Sequence, residues 1–174
     1  EVQSNCDDIS EVPKKTLASK IGSWVIPVLI VALIVAGFVF GGRKEGISML
    51  SSWVLWNGVL SALFACFGAA HPLVVILSFI GAPITSLCPF VGIGLFTGIL
   101  QALLCKPKIS DMETLQDDAL SLKGFYKNKI LRVFLVFFLS SLGSSIGTFA
   151  AGASFVAPVT RFFDEIVYFV KNLF

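Results

Sequence analysis

The sequence predicts an all-α fold: a polytopic helical membrane protein with about five membrane segments, two of them short and broken, and an amphipathic C-terminal helix. Three observations carry this reading. Of the 174 residues, 56% are hydrophobic and only 14% charged, where a soluble domain carries about a quarter charged residues. Mean hydropathy is +0.89, and the apolar residues fall in blocks of about twenty, the length that crosses a hydrocarbon core. The stretch from His71 to Leu104 is almost wholly apolar and has no charge beyond any proton on His71, yet prolines and glycines interrupt it. As one helix it would run roughly 50 Å, too long for a core of about 30 Å. Split at Cys88-Pro89, it gives two pieces of about 24 Å each.

Residues 1–20 are polar and read as a linker, the tail of a preceding domain, and the chain begins Glu-Val-Gln-Ser. The first segment is expected at 21–40, with Trp24 at its entrance and Pro27 in its first turns, where a missing N–H costs least. Residues Gly41–Gly46 read as a tight polar turn before a second segment at 47–70. Trp53 and Trp56 look like interfacial anchors of that segment, and Asn57 and Ser61 share one face four residues apart. The broken region supplies segments at 73–88 and 90–104, which either each cross the bilayer or form a re-entrant hairpin. Gly94 and Gly98 make a small-xxx-small pattern in its second half.

Residues 105–129 form the one substantial loop. Ser110 to Glu113 matches a capping box and predicts a short helix over 111–119. Phe125 and Tyr126, flanked by lysines, read as an interfacial segment. A further segment is expected at 130–149, its second half made small and polar by Ser140, Ser141, Gly143, Ser144, Ser145 and Gly147, and suited to bury against another helix. Over 151–174, after a break at Pro158, Phe162, Phe163, Ile166, Val167, Val170 and Leu173 oppose Asp164, Glu165 and Lys171, the pattern of an interfacial amphipathic helix.

Counting Lys and Arg, the N-terminal segment and the 105–132 region hold nine, against four (Arg43, Lys44, Arg161, Lys171) on the other side. That bias places the N-terminus in the cytoplasm. The formal charge of +2 does not call for a nucleic-acid partner.

For chemistry, the sequence offers little. The spans contain no Asp or Glu, the usual proton-relay groups. P-loop, Rossmann and nucleophile-elbow patterns are absent, and the four cysteines lack disulfide or zinc spacing. His71 is the only histidine, with no acidic residue within helical reach, so no metal site, cofactor or catalytic group is assigned. The polar residues within apolar segments, Asn57, His71, Thr85, Ser86 and Gln101, form the candidate intramembrane cluster. Gly94, Gly98, Gly143 and Gly147 are candidate helix-packing positions.

Five motifs occur in order: Ala70-His-Pro72, Ala82-Pro-Ile-Thr-Ser-Leu87 followed by Pro89, Lys106-Pro107, Ser121-Leu-Lys-Gly-Phe125 and Gly143-Ser-Ser-Ile-Gly-Thr148. Over about 24–149 the chain thereby resembles the C-terminal membrane domain of the TraB family, the TraB/PrgY pheromone-shutdown proteins and their archaeal and bacterial relatives. The resemblance implies an integral protein of a prokaryotic cytoplasmic membrane, its partners the lipid bilayer, an N-terminal TraB domain, further copies of itself and a peptide signal. That soluble domain resembles Tiki-type metal-dependent proteases, marked by Gly-x-x-His and separate glutamates. Gly68-Ala-Ala-His71 matches the string at the end of a membrane helix, in the wrong domain, so the catalytic role is not carried onto His71 and the protease-like module lies outside this chain. Two positions depart from the family pattern: Cys88 stands where an asparagine is usual, and Gln101 where an acidic residue is common. The implied role is to anchor and oligomerise a peptide-handling module; the competing reading is a channel or transporter core with 73–104 lining a path.

Overall fold

A computed structural model describes residues 17–88 and 91–173. The linker residues 1–16, Pro89 of the expected junction, and the side chains of Lys20, Phe162, Phe163, Glu165, Ile166, Val170 and Leu173 lie outside the described residues. The elements are helices α1 (Leu17–Phe40), α2 (Gly42–Phe67), α3 (Pro72–Thr85), α4 (Ile93–Cys105), α5 (Ile109–Glu113), α6 (Leu115–Ala119), α7 (Leu122–Lys127), α8 (Lys129–Ser154) and α9 (Val156–Leu173), with no strand among the described residues.

The antiparallel pair α2–α8 is the centre of the bundle. α1 and α3 pack on α2, α4 packs on α8 and meets α3, and α9 touches α1 and α8. Both central helices have 26 residues, roughly 39 Å of axis. They are long and apolar enough to cross a membrane. The hairpin arms are shorter, 14 residues in α3 and 13 in α4, about 20 Å each.

Several element boundaries differ from expectation, each for a local reason. The anticipated polar turn at 41–46 is nearly all helix. Gly42, at φ +73°, takes the left-handed conformation that lets the chain reverse in one residue, and Glu45 then sits in the first turn of α2, where the helix dipole favours a carboxylate. α1 begins at Leu17, four residues early. The expected 111–119 helix is two short helices interrupted at Thr114, and the cap lies two residues upstream of the Ser110 box: Lys108 N donates to Asp111 Oδ2 at 2.8 Å. The C-terminal helix starts at Val156, before Pro158, which occupies its first turn without breaking it.

Trp53 is a further correction. It is not an interfacial anchor but the largest fully buried side chain, packed with Ile30, Met49, Ala151 and Phe155, while Trp56 one turn on stays exposed. Leu87, at the tip of the α3–α4 hairpin, is half-buried against this cluster. Leu87 therefore lies at mid-height of α1 and α2, since Ile30 and Trp53 both lie near the middle of their helices.

Glycine contacts set how closely the helices approach. A Cβ at Gly143 would lie 2.6 Å from the Leu60 carbonyl oxygen, and one at Gly147 2.7 Å from the Asn57 Cα. α8 thus rests directly on the α2 backbone. A Cβ at Gly58 would come 2.7 Å from the carbonyl oxygen of Phe79, the group that Pro83, lacking an N–H, leaves without its helical donor. Gly94 and Gly98 play the corresponding role between α4 and α8, against Phe137 and Ser141.

A buried polar seam as the candidate functional site

The bundle is apolar outside, and a polar seam runs through its interior beside the apolar cluster around Trp53. Asn57, Ser61, Ser78, Thr97, Gln101, Ser140 and Ser144 are buried, and large apolar side chains face outward along every long helix, among them Leu29 (55% exposed), Ile80 (59%), Leu103 (66%) and Phe138 (64%). Helical periodicity explains the inward set on α8: Ser140, Gly143, Ser144, Gly147 and Ala151 recur at three- and four-residue steps and line one face.

The polar side chains satisfy one another across helices. At the α2–α8 contact, Ser144 Oγ donates to Asn57 Oδ1 at 2.8 Å, and Asn57 Nδ2 donates to Thr148 Oγ1 at 3.2 Å. One turn along, Ser61 Oγ and Ser78 Oγ are hydrogen-bonded at 2.7 Å, joining α2 to α3. Ser61 Oγ also lies 2.9 Å from the Ser140 carbonyl, and Ser140 Oγ pairs with Thr97 Oγ1 at 2.7 Å. Three serine hydroxyls, the Ser140 carbonyl and the Thr97 hydroxyl thereby tie α3, α2, α8 and α4 together through the buried middle of the bundle.

A second cluster closes one end. Gln101 Oε1 accepts the His71 peptide N–H at 2.9 Å, and Gln101 Nε2 points to Cys105 Sγ at 3.2 Å, which Arg132 Nη2 also approaches at 3.1 Å. His71 is the N-cap of α3: its Nδ1 accepts from Leu73 N at 3.3 Å, with Pro72 as the first helical residue.

Of the five cluster residues, the structure brings Gln101 to the backbone of His71 and keeps the others apart. Asn57 is committed to α8. Thr85 and Ser86, half-buried, bond carbonyls of their own helix at Gly81, Ala82 and Pro83. Among the described residues no three His, Cys, Asp or Glu side chains converge as a metal site. Ser78 and Thr97 belong to the seam, and Cys105 and Arg132 to the end cluster, although sequence reasoning gave none of them a bonding role. Thr97 had a signal, its place between Gly94 and Gly98 on the close-packing face; a lone Ser78 in an apolar helix had none.

The loop between α4 and α8 folds onto Asn128. This buried residue caps α8 with Oδ1 accepting from Ile130 N and Leu131 N, while Nδ2 donates to the Asp111 carbonyl (2.7 Å) and to Asp118 Oδ2 (3.0 Å). The Asn128 bond, then that of Thr114 Oγ1 (2.8 Å), holds the Asp118 carboxyl below the ordinary aspartate value; partial burial opposes them and Lys127 assists. Gly124 lies flat against the Asp118 carbonyl, leaving no room for a side chain. Tyr126 OH reaches the Phe67 carbonyl at 2.9 Å and ties the loop to the end of α2.

Comparison with known proteins places this architecture. The model of the TraB family protein C-terminal domain matches residues 18–162. An uncharacterized protein of Methanocaldococcus jannaschii, MJ1365, is 34% identical over 107 residues, covering 60% of this chain and 26% of that relative. The match thus spans about a quarter of the relative's length. No solved structure matches. With most of its length, including the seam and its glycines, inside the family match, this chain belongs to the TraB family, within its C-terminal domain.

Proposed function

We propose that this chain is the membrane domain of a TraB-family protein, a lipid-embedded bundle that anchors and orients a soluble module. The observation that carries the reading is the inverted polarity: seven buried polar side chains are bonded across helices, under a shell of exposed Leu, Ile, Val and Phe. In water that shell would be a patch far larger than monomers tolerate. In lipid it is solvated, and interhelical hydrogen bonds with small-residue contacts supply the association.

In this reading α1, α2 and α8 cross the bilayer, and α3–α4 dips in from the side of His71 and Cys105 and returns. Leu87, after α3, packs against α1, α2 and the end of α8, the kind of protein cover that non-helical backbone at depth requires. The loop 106–128 lies on the cytoplasmic face with the N-terminus, following the lysine bias. α9 lies along the opposite interface. Gly94, Gly98, Gly143 and Gly147 are used inside the chain, so self-association would need another surface, and the domain serves chiefly as anchor. A transport path through 73–104 finds less support: Asn57 and Gln101 are 0% and 1% exposed, and their polar atoms bond to protein.

Single-cysteine labelling in intact cells, in a background free of native cysteines, tests this reading. Lys123→Cys should react with a membrane-impermeant maleimide only after the cytoplasm is opened, and Arg43→Cys should react from outside. Labelling of both from the same side would overturn the topology.

A further inference from the structure

Between α1, α2 and the start of α9 lies a pocket of about 450 Å³, within the roughly 300–1,000 Å³ of small-molecule sites. Its polarity runs along its axis. Leu33 and Ala36 on α1 and Met49 on α2 form the inner wall, and Phe40, Glu45 and Arg161 stand at the other end. From Leu33 to Phe40 is about 10 Å along α1. Phe40, Glu45 and Arg161 all sit where their helices reach the α1–α2 turn or leave α8, so the charged end is the outer end on all three walls. The pair at the rim is loose: Arg161 Nη1 is 3.9 Å from Glu45 Oε1, with the side chains 75% and 39% exposed. An exposed pair of that kind contributes little by itself and leaves a cation and an anion side by side at the mouth of an apolar slot.

We infer that this pocket binds one phospholipid, its acyl chain against Leu33, Ala36 and Met49, its phosphate on Arg161 and a headgroup ammonium on Glu45. The inference rests on the membrane reading above, which puts the rim at headgroup depth. Charge complementarity selects the ligand class: a zwitterion with a primary ammonium, such as phosphatidylethanolamine, satisfies both rim groups, whereas a purely anionic headgroup would set its phosphate beside the Glu45 carboxylate. Gly37 leaves room for the Met49 thioether at the slot, since a Cβ there would come 2.5 Å from Met49 Sδ.

Native mass spectrometry of the full chain released from detergent, with added palmitoyl-oleoyl phosphatidylethanolamine or phosphatidylglycerol, reads this directly. The unmodified chain should retain one phosphatidylethanolamine in preference to phosphatidylglycerol. Ala36→Trp, which fills the slot, should lose that adduct, Arg161→Gln should weaken it, and Ile26→Trp, on the outer surface of α1, should keep it. Val159→Trp serves if Ala36→Trp does not fold. Retention by the slot-filling variant at the level of Ile26→Trp would overturn the site, and equal retention of the two lipids would overturn the headgroup assignment. Resistance of each variant to alkaline carbonate extraction, measured in parallel, reports separately on membrane insertion.

Discussion

Ser144 on α8 donates to the side-chain carbonyl of Asn57 on α2 at 2.8 Å, three residues from the point where Gly147 lets the two backbones touch. The polar bond and the close approach depend on each other. Without glycine the helices would stand too far apart for short hydroxyls to reach, and without the bond the amide would be left unpaired in a dry interior, a cost of about 1–3 kcal/mol.

Asn57→Ala and Ser144→Ala should therefore be coupled. A double-mutant cycle on thermal or denaturant unfolding in detergent is expected to give an interaction energy of about 0.6 kcal/mol, and no more than about 1.7. Additive single effects would mean that the pair is not formed.

Gly147→Leu should destabilise the bundle by about 1–3 kcal/mol, because even its Cβ meets α2 backbone, which cannot move aside as a flexible side chain can. Gly152, with nothing within 4 Å of an added Cβ, is the matched control. Gly152→Ala should leave stability unchanged or raise it slightly through helix propensity. The comparison is read as a shift in the melting midpoint in the same detergent.

The α5–α7 cap should loosen in acid. Because Asp118 titrates lower in the folded protein than in the unfolded chain, its contribution is fully present above the ordinary aspartate pKa near 3.9 and is lost as pH falls through that value toward the depressed one. Amide protection factors in 109–127, taken relative to the base-catalysed intrinsic exchange rate at each pH, should fall over that window and stay flat above about pH 5. Asn128→Ala, which removes the main cause of the shift, should raise exchange at neutral pH and flatten the acid response.

The helical class, the long segments and the close-packing glycines were legible because they depend on period and residue size, which sequence carries directly. Gly143 and Gly147 stand four apart on the face that proves buried. What was less legible depends on partners distant in sequence. Trp53 and Trp56 have the same chemistry at neighbouring positions, and only the arrival of Ile30 and Phe155 makes one core and the other surface. Asn57 was recognisable as a polar group needing a partner, but Ser144, 87 residues away, could not be chosen from several serines on α8. Thr85 and Ser86 attracted attention as hydroxyls between two prolines, and their bonds go to carbonyls of their own helix, a local outlet for such groups.

The inverted polarity of the bundle is most directly tested by spin labels at Leu29, Leu55, Ile80 and Phe138, one on each of α1, α2, α3 and α8, with the chain reconstituted in liposomes. Collision with oxygen, which concentrates in hydrocarbon, should be high at all four and collision with a water-soluble nickel chelate low, while Leu120 on the loop cap shows the reverse. Nickel access at the four helix positions equal to that at Leu120 would contradict a lipid-embedded domain.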